Sequence, residues 1–429
     1  MGWLRLDPKL LRVGLYIKID HAWMQHPFVR NTFTISSPTE IAIIQNHGLT
    51  NLFYDPDLSH ADVIETLLDP TIPAKTFDVD ADFAEDVASD EKAMLREKTV
   101  HIQKVVDHRK AVDEAAQEYV QAANEAAVMI AMANAGQSEA LDSAHKILDT
   151  MTKLLQEQAV ALTLVCTVNP SDPGQEMAMQ AVSTSALSLL VSKTLNLSEE
   201  ESRKVGMGAL FHNIGQNKIP LPIRAKTGYL LPVEQKLVQM YPQFGKEILE
   251  NIPGVPPEVI EIVQQHREAL DGSGYPKRMF NGDIAKEARL VGAIVEYNQL
   301  INDRRSGQML SPSQALSHLY TNLKHKYGPD VIEPFIASIT VFPPGSFVEL
   351  NDKSFGLVLK SNVQERMRPV IMLYEQEASH NQAAIIDLSR ERSLSIQRCI
   401  DPKGLPSRVK EILNPSRFKG YAISQGLKK

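Results

Sequence analysis

Along the chain the spacing of apolar positions changes twice. Near the N-terminus it is strand-like. Leu11-Arg12-Val13-Gly14-Leu15-Tyr16-Ile17-Lys18-Ile19 alternates apolar and other residues, as a half-buried strand does. Phe33-Thr34-Ile35 reads as a second strand and Leu52-Phe53-Tyr54 as a third, ending at Asp55-Pro56. Between them Ser37-Pro38-Thr39-Glu40 opens a helix with a cap and a first-turn proline, and Gly48 stops it. Residues 56–90 are rich in Asp and Pro with weak periodicity and read as a linker. The pattern then turns helical. From 92 to 165 Ala, Glu, Gln, Lys and Leu dominate, Gly136 breaks the run in two, and no heptad is sustained. Such Ala-rich helices fit a bundle or a dimer contact.

Asn169 to Gly174 reads as a turn and 175–195 as a helix. Ser198 and Glu201 form a capping box ahead of Val205, Leu210, Phe211 and Ile214. Pro232 and Pro256-Pro257-Glu258 open two further helices, and 286–302 and 312–325 give two more. From 331 short β-like runs take over: Ser338–Phe342, Phe347–Leu350, Phe355–Leu359 and Pro369–Leu373. The prediction is a mainly α protein. A small N-terminal α/β module with its linker fills 1–90, connecting helices 91–165, an all-α helical bundle core 166–330, a short C-terminal β extension 331–405, and a basic tail 406–429.

Composition narrows the function. With 43% hydrophobic and 23% charged residues, 429 residues can build real cores in two or three domains. A net charge of −7 argues against nucleic acid as a partner. Cys166 and Cys399 are the only cysteines, too few for a disulfide framework. The N-terminal residues lack a signal-peptide pattern, Leu6 rules out a myristoylation start at Gly2, and no apolar run approaches the roughly 20 residues of a membrane span. A cytoplasmic protein is expected. His21 and His26 lie beside Trp23 and Phe28, which reads as packing rather than a metal site.

The chemistry concentrates in residues 211–276. Phe211-His212-Asn213-Ile214-Gly215-Gln216 opens this stretch, followed by Ile219-Pro220 and Met240-Tyr241-Pro242-Gln243-Phe244-Gly245. His266-Arg267-Glu268-Ala269-Leu270-Asp271-Gly272-Ser273-Gly274-Tyr275-Pro276 closes it. In this order and spacing the words resemble the HD-GYP family, bacterial phosphodiesterases that hydrolyse cyclic di-GMP. The resemblance implies an HD-type bundle, and residues 10–55 are similar to the uncharacterised domain that often precedes it. It also implies two or three bridged metals that lower the pKa of bound water and clamp phosphoryl oxygens.

Placed on the family's pattern, most of the expected ligands are missing. His212 and His266 are kept as remnants. Gln180 and Tyr241 stand where the family has His, Asn213 and Val295 where it has Asp, and Arg267 where it has the second His of a pair. Gln216 replaces a Lys. Glu176, four residues before Gln180, reads as a coincidental match to a further ligand. Two divalent ions a few ångströms apart repel by several kcal/mol even at an effective dielectric near 20. Asn213 and Val295 offset none of that, and Arg267 adds to it. No catalytic set is therefore expected to be intact, and no cofactor, with iron or manganese implied only if the chain is active.

Asp271-Gly272-Ser273-Gly274-Tyr275-Pro276 matches the family's GYP loop in full, and Arg304 keeps one basic residue of a later run whose last member is Gly307. The resemblance makes Asp271, Gly272, Gly274, Tyr275, Pro276 and Arg304 the candidate contacts for a weakly held cyclic dinucleotide. The expected function is a catalytically degenerate HD-GYP protein, a regulator in cyclic di-GMP signalling that acts through protein contacts. Its expected partners are signalling proteins of that network, diguanylate cyclases among them, with a homodimer as a further assembly. The competing readings are an active metal-dependent phosphodiesterase with an atypical site and a structural dimerisation scaffold.

Overall fold

The computed structural model describes residues 3–68, 81–157, 176–226, 228–280, 283–302, 310–339, 342–362, 364–374, 384–401 and 404–413. At the N-terminus four short strands pair antiparallel in the order β1-β4-β2-β3: β1 Leu4–Leu6, β2 Tyr16–Ile19, β3 Thr32–Thr34 and β4 Leu52–Tyr54. Strand β1 has no counterpart in the sequence reading, because three residues are too few to show a period. Helix α1, Pro38–Asn46, starts where Ser37 accepts a hydrogen bond from the Glu40 amide, and Gly48 takes a left-handed φ of 62° just beyond its end. Ile41, Ile43 and Ile44 pack with Leu15, Ile17, Ile19 and Leu52.

The expected linker at 56–90 is corrected. Residues Ala61–Leu68 form α2, and α3 already begins at Ala81. Val63, Ile64 and Leu67 recur at helical spacing and pack on the module, a period hidden by the surrounding Asp residues.

Helix α3 runs from Ala81 to Asn134, 54 residues, or about 80 Å. Its first part grips the N-terminal module. Asp90 accepts from the Thr39 hydroxyl at 2.6 Å, Glu91 meets His47 at 2.9 Å, and buried Lys98 donates to the carbonyls of Trp23 and His26. Its second part, from Ala115 to Ala133, is core. Gly136, at φ 73°, turns the chain into α4, Glu139–Glu157. The expected helix end at 158–165 and the turn at 169–174 lie outside the described residues.

Helix α5, Glu176–Thr194, is buried on nearly every face and stands between two cores. Around it lie α6 Glu199–Phe211, α7 Leu221–Arg224, α8 Pro232–Val238, α9 Tyr241–Glu250, α10 Pro257–Gln265 and α11 Lys286–Asn302. The expected single helix at 312–325 is divided: α12 Pro312–His318, a π turn Leu319–Leu323 and α13 Lys324–Tyr327. The strand expected at 338–342 is also corrected, since Pro329–Ile339 form α14. Val331, Ile332, Phe335 and Ile339 share a helical face and are buried beside α5 and α11, so the helical core runs past residue 330.

Five antiparallel strands follow in the order β8-β7-β6-β5-β9: β5 Phe347–Leu350, β6 Phe355–Lys360, β7 Val370–Leu373, β8 Ala384–Asp387 and β9 Ile396–Ile400. Part of the expected tail is helical: α15, Ser407–Leu413, lays Val409, Ile412 and Leu413 on this sheet. The rest of the tail, 414–429, is outside the described residues. The sheet also touches the N-terminal module and α3. Tyr16 donates to Asp352 Oδ2 at 2.8 Å, and His101 Nδ1 donates to the Ile385 carbonyl at 2.6 Å.

Candidate functional site

Two helix ends build the site. His212 caps the C-terminus of α6 and His266 that of α10. Each ring turns back on its own helix. Nδ1 of His212 donates to the Ala209 carbonyl at 2.7 Å, and Nδ1 of His266 to the Val263 carbonyl at 2.8 Å. A carbonyl only accepts, so both rings are Nδ1–H tautomers and both Nε2 atoms are left as lone pairs. The rings meet edge to face with centroids 5.4 Å apart. This is how metal-ligating histidines are commonly oriented.

What faces those lone pairs differs from a metal shell. The Tyr241 hydroxyl donates to His266 Nε2 at 2.8 Å. Tyr241 is brought there by a glycine contact. Gly215, in a 3-10 turn over Ile214–Lys218, lies against α9 so tightly that a Cβ on it would sit 2.0 Å from the Tyr241 carbonyl oxygen. Asn213 is fully buried. Its Nδ2 donates to the Met177 carbonyl at 2.8 Å, while its Oδ1 has no partner. Val295 lies in an apolar cluster with Leu187 and Val191. Gln180 bonds weakly to Glu176 at 3.4 Å, on the same turn of α5. Gln216 is half-buried, and its carbonyl is 3.5 Å from Arg224 Nη1.

Arg267 brings a permanent cation into this group. Nε donates to the Tyr275 hydroxyl at 2.8 Å, Nη1 is 3.5 Å from Glu296, and Nη2 is 3.4 Å from Gln299. Its guanidinium carbon lies 5.5 Å from the Tyr275 ring centre. Tyr327, buried nearby, is held well above its ordinary pKa mainly by burial, with the Glu296 carboxylate beside it as a smaller cause. Electrostatics follow from this arrangement. Burial, with the Arg267 charge as a smaller cause, holds His212 down at about 4. Burial, then His212 and Arg267, holds His266 well below the usual imidazole range. Burial pushes Tyr241 well up, so its hydroxyl keeps its proton.

The donor set does not fit a pair of divalent ions. One imidazole lone pair is taken by a hydroxyl, buried Asn213 brings a neutral amide rather than a carboxylate, and a guanidinium already supplies a cation. Among the described residues no three His, Cys, Asp or Glu side chains converge as ligands. Of the N-terminal histidines, His21 Nε2 accepts from the Asn51 amide at 3.3 Å and His26 Nε2 donates to Asn31 Oδ1 at 3.1 Å.

The GYP loop is held from within. Asp271 Oδ1 accepts from the Ser273 amide at 2.9 Å, and Asp271 Oδ2 lies 3.4 Å from His325. Gly272 has φ 74° with the Phe280 ring against it, and Gly274 packs on the backbone of Glu268 and Ala269. Tyr275 joins Arg267 and lies 6.3 Å from the Tyr241 ring, and half-buried Pro276 follows. Arg304 is outside the described residues. The sequence reading missed Glu268. Only 2% exposed, its carboxylate accepts from the amides of Lys277 at 2.7 Å and Met279 at 2.9 Å, tying down the far side of the loop. Glu296 and Tyr327 were missed too, because only the fold brings their distant sequence positions to Arg267.

An HD domain model matches residues 146–331, a domain of unknown function (DUF3391) matches 4–144, and a KOW domain associated with HD domain matches 347–408. The chain is similar to the cyclic di-GMP phosphodiesterase PA4108 of Pseudomonas aeruginosa, 23% identical across 86% of this chain and 84% of that protein. It is also similar to the cyclic di-GMP phosphodiesterase response regulator RpfG of Xanthomonas campestris pv. campestris, 27% identical over 46% of this chain and 52% of that protein. Among solved structures it is similar to Bd1817, a HDG"Y"P protein from Bdellovibrio bacteriovorus, with 17% identity, a TM-score of 0.42, and coverage of 78% of this chain and 97% of that one.

Proposed function

We propose, for a chain that is an HD-domain protein with a DUF3391 domain ahead of it and cyclic di-GMP phosphodiesterases among its relatives, that the helical core is catalytically silent and regulates cyclic di-GMP signalling through protein contacts. One observation carries this reading: the Tyr241 hydroxyl sits on the His266 lone pair that a metal would need. Without a metal, no group at the site lowers the pKa of an attacking water or offsets charge on a phosphodiester. Arg267 cannot substitute, because Glu296, Gln299 and Tyr275 already engage it.

The partners proposed are signalling proteins of the same network, diguanylate cyclases among them. A cyclic dinucleotide, if held, meets the GYP loop and Arg304 with high-micromolar affinity or weaker. With Gln216 and Gly307 in place of two cations, two charge-assisted contacts worth roughly 1.5–3 kcal/mol each are gone. The test is turnover of cyclic di-GMP by the purified chain with added manganese or ferrous iron, alongside elemental analysis. The expected result is no turnover and no stoichiometric metal. Turnover that His212→Ala abolishes, or about two metals per chain, overturns the reading.

A further inference from the structure

Between the two histidine-bearing elements the chain makes a detour over residues 217–240 whose described part exposes several large apolar side chains. Tyr229 is 80% exposed, Val233 79%, Leu221 63% and Leu231 56%. Large apolar side chains this exposed within thirteen positions mark a contact surface rather than ordinary scatter. The same strap is cationic in a chain of net charge −7: it carries Lys218, Arg224, Lys226 and Lys236 against one carboxylate, Glu234. Glu234 is spent on Lys226 at 2.7 Å and on the Leu231 amide at 2.7 Å. Among the described residues Arg224 reaches only the Asn217 amide oxygen and the Gln216 carbonyl. Lys218 and Lys236 have no carboxylate partner among the described residues. Pro220, Pro222 and Pro232 stiffen the strap, so little backbone freedom is lost when it is covered.

We propose that residues 217–240 are a docking surface for an acidic protein surface, with Tyr229, Leu231 and Val233 as apolar anchors and Lys218, Arg224 and Lys236 as the matching charges. This rests on the regulatory reading above and names the surface through which it works. A second copy of this chain is disfavoured, since a two-fold contact through the strap sets its cations against themselves. A lipid surface is disfavoured as well, because α7 and α8 have 4 and 7 residues and present no extended amphipathic helix to lie in an interface. The strap's ends enter the site: Asn213 and Gln216 precede it and Tyr241 follows it. A partner that moves the strap therefore moves the hydroxyl on His266.

The test uses the full chain in the cell that makes it. A photoreactive benzoylphenylalanine replaces Tyr229 or, as a control, Met367, which is 59% exposed in the C-terminal unit. The expected outcome is a light-dependent cross-link from position 229, absent from 367, to another protein whose cross-linked peptide is net acidic. The purified partner is then titrated against the parent chain and the Lys218→Glu/Lys236→Glu chain, whose folding is checked by thermal melting, and its dissociation constant rises at least tenfold. A cross-link only to this chain or to lipid, no cross-link, or affinity unchanged by the charge reversal each overturns the proposal. A partner that still binds the charge-reversed chain leaves the regulatory reading standing and removes only this surface. Cyclic di-GMP turnover would remove the regulatory reading itself.

Discussion

The bond from Tyr241 to His266 shows how one hydroxyl changes a site. Removing it frees a buried Nε2 with no other donor, which costs about 1–3 kcal/mol. Tyr241→Phe is therefore expected to lower stability by that amount in chemical denaturation, with no gain of phosphodiesterase activity. His212 gives a pH signature. Folded, it titrates at about 4, below its ordinary 6.5. Between those values the unfolded chain binds more protons, so stability is full above pH 6.5 and falls as pH drops toward 4. His26, also held at about 4 by burial, loses stability in the same window. His212→Gln is expected to flatten the fall between about pH 6.5 and 5 by about 1–2 kcal/mol, leaving the shares of His26 and His266. Urea melts across that range measure it, and an unchanged slope would contradict the buried neutral ring. At this scale the sequence was informative about identity and silent about geometry. The departures at Asn213, Tyr241, Arg267 and Val295 were visible as letters. That Asn213 turns its amide to Met177 and that Glu296 receives Arg267 depends on contacts between helices far apart in sequence.

Elements hold those residues through backbone approaches that leave no room for error. A methyl at Gly215 would meet the Tyr241 carbonyl and the Gly245 nitrogen, both backbone atoms. Gly215→Ala is expected to cost about 1–3 kcal/mol or more, read as a drop in melting temperature together with a shift of the tyrosine signal. The GYP loop depends on Glu268 in a similar way. Glu268→Gln turns one of two acceptors into a donor facing amides and is expected to speed exchange at Lys277 and Met279 by tenfold or more. Loop amides as protected as before would show that the glycines alone set its shape. The elements most legible in the sequence were those with chemical punctuation. Ser37 and Ser198 cap helices as their side chains suggest, and Gly48 and Gly136 end them. Helix α14 was misread because its β-branched and aromatic residues fit either period over a short run, and burial against α5 and α11 decided between them. Strands β8 and β9 were overlooked because they alternate too briefly to stand out.

At the scale of the whole molecule, the first and last units of the chain are joined. The Tyr16–Asp352 bond spans 336 positions and is buried. No pattern within either segment predicts it. Tyr16→Phe leaves Asp352 Oδ2 short of a donor, and the expected effect is faster amide exchange in β5 and β6 with the bundle unchanged. Unchanged exchange there would mean that the sheet is held by its packing alone. Helix α3 makes this closure a matter of rotational phase. Residues 83–101 of α3 are fixed to the N-terminal module and the sheet, and residues 115–133 to the bundle. One residue inserted between these stretches would turn everything before it by about 100° and advance it about 1.5 Å. Ile339 is packed in the bundle and Phe342, three positions on, in the sheet, so the sheet could not follow freely and Tyr16 and His101 would be pulled from their partners. Seven inserted residues nearly restore the angle but leave an axial offset of about 10 Å. The helix thus works as a gauge block: its exposed positions tolerate exchange at a cost of tenths of a kcal/mol, while its residue count is fixed by the distance it must measure.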